Sequence, residues 1–109
     1  MSILMITSGE GKYMVWLKQE KIGKDRIYMV GGGETPHVGG CVIVEPGNKA
    51  YIVKLGKHYD HVVLQPIAEE ASKKYKVTAV AVGGIHIDNA SKEEIDILVH
   101  NCKELIKCI

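Results

Sequence analysis

Hydrophobic positions fall into two regimes along this chain. In the first half they form short runs rich in β-favouring residues. Tyr13 to Lys18 is one such run, and Lys24-Asp25 separates it from a second, Arg26-Ile27-Tyr28-Met29-Val30. Cys41-Val42-Ile43-Val44 is a third; it stops at Glu45-Pro46-Gly47-Asn48, after which Ala50-Tyr51-Ile52-Val53 resumes. A Pro-Gly-Asn bend between two apolar runs predicts a hairpin.

In the second half the spacing lengthens. From about Asp60 to Tyr75, Val63, Ile67 and Ala71 recur at helical intervals, with Leu64, Ala68 and Tyr75 beside them. Pro66 either kinks this helix or marks its first turn, because proline donates no backbone hydrogen bond. Val77 to Val82 is a continuous small-apolar run, expected as a central strand covered on both faces or by a dimer partner. Ser91-Lys92-Glu93-Glu94 then reads as a capping box opening the last helix. Ile95, Leu98, Val99, Cys102, Leu105, Ile106 and Ile109 form its apolar stripe. The order β-β-β-β-α-β-α predicts an α+β fold, a mostly antiparallel sheet with two helices packed on one face.

At 109 residues and 46% hydrophobic, the chain is expected to form one domain, 1–109, with a core small enough to favour a homodimer or higher homo-oligomer. The net charge is only +1 and lysines alternate with acids, so no basic stripe marks a nucleic-acid binder. Met1 to Thr7 lacks a basic segment followed by a long apolar run, and no window approaches a membrane span. A cytoplasmic protein is therefore expected. Cys41, Cys102 and Cys108 are odd in number and show no C-x-x-C spacing, which suits a reducing compartment.

Candidate chemistry gathers at three glycine-flanked junctions. Val82-Gly83-Gly84-Ile85-His86-Ile87-Asp88-Asn89-Ala90-Ser91 joins a strand to the last helix, and alternation puts His86 and Asp88 on one face. Gly31-Gly32-Gly33-Glu34-Thr35-Pro36-His37-Val38-Gly39-Gly40 carries a second histidine, and Gly56-Lys57-His58-Tyr59-Asp60 a third. Each has a plain structural reading: the glycines as a flexible turn, each histidine as a satisfied structural residue, Lys57 as a solvated loop cation. Taken together, they suggest a pocket for a small polar ligand. His37 would reach the ligand's edge while Gly39 and Gly40 let backbone approach a flat ring. Lys57 and His58 would meet an anion at the entry of the first helix, a better site than the last helix, whose start Ser91 and Glu94 already fill. Trp16 or a tyrosine is available to stack on a ring, although aromatic residues in strands are core by default. His61 and His100 read as surface positions on helices.

Other chemistries fit poorly. Neither the phosphate-binding G-x-x-x-x-G-K-[ST] motif nor the dinucleotide fingerprint occurs. Ser8, Ser72 and Ser91 lack a nucleophile-elbow context. No i, i+4 histidine pair or glycosidase-like carboxylate pair stands out. A small metal-dependent or acid–base enzyme using His37, His58, His86 and Asp88 stays open as an alternative.

At these junctions the chain resembles the prenylated-flavin chaperone-like proteins, the small D-type subunits of gallate and related hydroxyarylic acid decarboxylase systems. His37-Val38-Gly39 before an apolar strand matches, as does His58-Tyr59-Asp60 leading into Val62-Val63-Leu64-Gln65-Pro66-Ile67-Ala68-Glu69. Gly84-Ile85-His86-Ile87-Asp88-Asn89-Ala90 before the final helix is the most specific part, and the likeness spans roughly residues 10 to 109. It departs at the second histidine: the family pattern has glycine directly before it and an acidic pair after, whereas here Lys57 intervenes and His61 replaces one acid. The resemblance implies a non-catalytic protein that binds prenylated FMN, or FMN, and helps deliver it to a separate decarboxylase catalytic subunit. A flavin prenyltransferase makes the cofactor and is a second implied partner; a purely structural decarboxylase subunit is the third reading. The expected cofactor-binding set is His37, Gly39, Gly40, Lys57, His58, Asp60, Gly84, His86, Asp88 and Asn89, with a dimer completing the pocket.

Overall fold

The computed structural model describes residues 4–56 and 59–109. Among them the chain runs β1 (Leu4–Ser8), a 3-10 turn (Gly11–Tyr13), β2 (Val15–Ile22), β3 (Asp25–Gly33), β4 (Gly40–Val44) and β5 (Ala50–Lys54). There follow α1 (His61–Tyr75), β6 (Ala79–His86) and α2 (Lys92–Ile106). The α+β class holds, with one strand more than the sequence pattern indicated. That strand, β1, pairs antiparallel with β2, Ile6 opposite Leu17, and has no second neighbour among the described residues.

The described strands form a mixed sheet in the order β1-β2-β3-β6-β4-β5. Every neighbouring pair is antiparallel except β3 and β6, which run parallel with Val30 opposite Gly83. β6 therefore lies between two strands that are consecutive in sequence. The connection from β3 to β4 has to cross its end, spanning two strand spacings or roughly 10 Å. The β4–β5 hairpin turns where the Pro-Gly-Asn bend predicted, with Val44 opposite Ala50 and Asn48 N–H donating to the Glu45 carbonyl at 3.0 Å.

Both helices cover the same face. Val15, Leu17, Tyr28, Val30, Val42 and Val44 point from the strands into a buried core. α1 meets them with Leu64, Ile67, Ala68 and Ala71, and α2 with Leu98, Cys102 and Leu105. Alanines at 79 and 81 on β6 let α1 lie close over the sheet centre, where both are fully buried. Burying a valine, leucine or isoleucine side chain contributes about 1.5–3 kcal/mol, so this single interior supplies most of the driving force. The opposite face of β6 is only half-covered, so of the run expected to be covered on both faces, or by a dimer partner, the helices of this chain cover one face.

Pro66 sits in the second turn of α1. The donor it lacks would have served the Val62 carbonyl, in the first turn of the helix, where Val62 is exposed. α2 opens with the expected box: the Glu94 N–H donates to Ser91 Oγ and the Ser91 N–H to Glu94 Oε1, both at 3.1 Å. Glu94 also receives the Tyr13 hydroxyl at 3.2 Å and pairs with the Lys12 ammonium at 2.9 Å, tying the 3-10 turn to the helix start. These contacts, Lys12 first, hold the Glu94 carboxyl down at about 2. No helix of the described residues is long and apolar enough to cross a membrane.

Candidate functional site

Gly31, Gly32 and Gly33, open to reading as a flexible turn, are the last residues of β3 and pair with β6, and residues 34–39 after them form a strap over the end of β6. Glu34 and Thr35 N–H groups donate to the His86 carbonyl at 2.8 and 3.1 Å. His37 N–H donates to the Gly84 carbonyl at 3.4 Å and Gly39 N–H to the Gly83 carbonyl at 2.9 Å. The two glycine pairs, 39–40 and 83–84, are thus direct neighbours, which sequence alone left open.

Asp60 completes the ladder where the strap leaves off. It occupies the N-cap position of α1 but makes no side-chain cap there. Its Oδ1 instead accepts the Ile85 N–H at 2.9 Å, while Oδ2 lies 3.3 Å from His37 Nε2. One carboxylate, only 9% exposed, joins the start of α1, the strap and β6. Glycine is required on both sides of it. A Cβ on Gly39 would collide with Asp60 Oδ2, and one on Gly84 would come within 2.9 Å of both Asp60 Oδ2 and His37 Nε2.

The His86 ring stands edge-on to His37, with centroids 5.8 Å apart and planes at 78°. His86 Nε2 pairs with Asp88 Oδ1 at 2.8 Å, so the two residues that alternation placed on one face do meet, just past the strand's end. Asn89 then takes a left-handed conformation, φ 51°, which turns the chain toward α2 and which asparagine tolerates better than most residues.

Beside these groups a cleft of about 630 Å³ opens between α1 and α2, over the end of β6. Its walls are largely apolar, from Ile85, Ile87, Leu98 and Val99, with Asp60, His86 and Asn89 among the polar groups that face it. Cys102 closes the back. Burial, and then the charge of Asp60, push its thiol up to about 12, so it stays neutral and serves as a small apolar wall. At the rim, Tyr59 is 68% exposed and the Lys54 ammonium lies 4.3 Å from its ring centroid.

Of the expected set, His37, Gly39, Asp60, Gly84, His86 and Asp88 come together, and Asn89 lies on the cleft wall. Gly40 is behind this group, where a Cβ would meet the Val53 carbonyl at 2.9 Å. Lys57 and His58 lie outside the described residues. Two readings change. Trp16 lies against Gly31 on the open face of the sheet, away from the cleft, whose lining includes Tyr59 instead. His61 is half-buried rather than a surface residue, with its Nδ1 enclosed; His100 is exposed as expected. The cleft wall from α2 and the Lys54–Tyr59 pair were missed: the former read only as a core stripe, and the latter needs the fold to bring strand end and helix start together. Among the described residues no three His, Cys, Asp or Glu side chains form a group able to hold a metal ion.

The model of the prenylated flavin chaperone LpdD-like domain matches residues 9–109, and the chain belongs to that family. A crystal structure of a chaperone complex for yeast 20S proteasome assembly is similar, with a TM-score of 0.56 at 13% identity. That match covers 99% of this chain and 98% of the other, and it shows a shared fold. No curated protein matches the chain.

Proposed function

We propose that this protein holds prenylated FMN in the cleft between α1 and α2 and passes it to the catalytic subunit of a hydroxyarylic acid decarboxylase. The observation that carries the proposal is the convergence of His37, Asp60 and His86, from three separate segments, beside an apolar cleft. The residues fit the group. Small-molecule sites are usually about 300–1,000 Å³, mostly apolar, with a few placed polar atoms. Ile85, Ile87, Leu98 and Val99 suit a flat fused-ring system, and His86 and Asn89, on the same cleft wall, would meet its polar edge. Asp60 and Asp88 would repel a phosphate, so Lys54 at the Tyr59 rim is the proposed partner of that group. Lys57 and His58, next to that rim in sequence, are proposed to join it.

When bound, the cofactor supplies a reactive ring system that the partner enzyme uses. This chain's part is to bind it, to keep water from one face with the aliphatic wall, and to fix its edge with imidazole groups. Asp60 is a positioning residue, setting His37 and the end of β6 relative to α1. Family membership supports a decarboxylase partner and a flavin prenyltransferase as the source of the ligand. The proposal takes the protein as cytoplasmic, as one domain over 1–109, and as non-catalytic.

The test is anaerobic gel filtration after mixing with reduced prenylated FMN. The cofactor is expected to co-elute, and His37→Ala or His86→Ala to lower retention at least several-fold while the fold persists. Cofactor that separates completely from folded wild-type protein would refute the assignment. A stoichiometric transition metal in untagged protein would favour the metal-dependent enzyme instead.

A further inference from the structure

Among the described residues β5 pairs on one side only, with β4, and ends the sheet. The Leu55 N–H donates to the Gly39 carbonyl at 3.2 Å, just past the last residue of the strand. In an antiparallel pair the direction of the backbone groups alternates, so Val53 and Tyr51 also turn theirs toward β4. Ala50, Ile52 and Lys54 turn theirs outward, where no described strand receives them. Natural proteins blunt such an edge with a proline, a bulge or a charge set within the strand. β5 has none of these: its register with β4 is one-to-one from Ala50 to Lys54, and its middle residues are Tyr51, Ile52 and Val53. Ile52 is 43% exposed on the side of the helices. The charges sit at the ends, Lys49 just before the strand and Lys54 closing it, both exposed.

We infer that the free edge of β5 takes up a strand from a different protein, an extended segment of alternating apolar residues with an acidic residue at each end. This goes beyond the cofactor proposal and stands without it. In strand addition, main-chain hydrogen bonds supply the affinity and the alternating side chains select the partner. Here Ala50, Ile52 and Lys54 offer the hydrogen bonds, and Ile52 offers an apolar contact in the middle of the strand. Charge decides the occupant. Two β5 strands paired antiparallel about Ile52 would set Lys54 of one copy opposite Ala50 of the other, beside its Lys49. Like charges would then crowd both ends of the pairing, which destabilises it. An incoming strand with acids at its ends turns both repulsions into attractions, and no acidic residue of β5 opposes it. The Lys54 ammonium lies 4.3 Å from the centroid of the Tyr59 ring, so the added strand passes beside the rim of the cleft.

Amide hydrogen exchange of the full chain by NMR tests this, with a synthetic peptide of alternating valine and threonine that carries an aspartate at each end. In the protein alone the Ala50, Ile52 and Lys54 amides should exchange fast and those of Tyr51 and Val53 slowly. The peptide should slow the first three, and a version ending in lysines should not. Ile52→Pro removes an outward N–H that β4 does not use, so the sheet should persist while peptide binding weakens at least about fivefold, the worth of one hydrogen bond. Should that variant fail to fold, Lys49→Glu, a change at an exposed position, is expected to reverse the preference between the two peptides. Three results would overturn the inference: outward amides already protected in the protein alone, no protection by the aspartate-ended peptide, or equal binding of both peptides.

Discussion

Asp60→Ala probes the strut on which the candidate site depends. The substitution removes the acceptor of the Ile85 N–H, 2.9 Å away, and the carboxylate 3.3 Å from His37. A buried donor left without its acceptor costs about 1–3 kcal/mol, and hydrogen bonds to charged groups lie toward the upper end. An opposing effect exists: the carboxylate is itself 9% exposed and costly to desolvate, so its removal relieves some strain. Asp60 keeps two partners and faces the cleft, so the lost acceptor outweighs that relief, and a net loss of about 2–3 kcal/mol is expected. At roughly 4 °C per kcal/mol for a domain of this size, the melting temperature should fall by about 8–12 °C. Asp60→Asn keeps an oxygen for Ile85 and should cost less than about 1 kcal/mol, while still removing the charge beside His37. Thermal unfolding by circular dichroism, with a urea titration for the free energy, measures both. An Asp60→Ala protein as stable as wild type, or an asparagine variant as damaged as the alanine one, would refute the strut.

Gly84→Ala should destabilise by about 1–3 kcal/mol in urea unfolding, because the new Cβ meets the His37 backbone carbonyl at 3.0 Å as well as the Asp60 carboxylate. The Glu94 carboxyl is held below its ordinary 4.5, at about 2, so the stability it contributes is complete above pH 4.5 and is lost as pH falls toward 2. Glu94→Gln should flatten that acid limb in a pH series of melts; an unchanged limb would show that the Lys12 and Tyr13 contacts contribute nothing. With its thiol pushed up to about 12 and buried, Cys102 should resist a thiol reagent at pH 8 in the folded protein, while Cys108 reacts and denaturant exposes every cysteine.

What could be read from the sequence was local. Ser91 and Glu94 announce the start of α2 because both partners of the box lie within four residues. The β4–β5 hairpin was legible for the same reason. β1 escaped because five residues paired only to β2 carry no alternation of their own, and its register depends on its neighbour. The insertion of β6 between β3 and β4 has no local signature, and every contact that defines the site follows from it. His37 and His86 were identifiable as candidates from their glycine-flanked junctions. That Asp60 would reach His37 and the Ile85 N–H, rather than a neighbour in its own segment, rests on pairing across 23 and 25 residues. Leu98 and Val99 show the converse limit: a helical apolar stripe looks the same whether it meets a core or a cleft.

The interposed strand also constrains the order of assembly. β3 and β4 leave the ribosome together and are antiparallel neighbours in sequence, yet their final places leave a slot between them. Until β6 emerges, some 35 residues later, nothing fills that slot, and direct β3–β4 pairing is expected to compete with the final order. Nascent chain that zips early must reopen, which slows folding as non-local pairing generally does. The cluster of His37, Asp60 and His86 therefore assembles last, when β6 takes its place between β3 and β4.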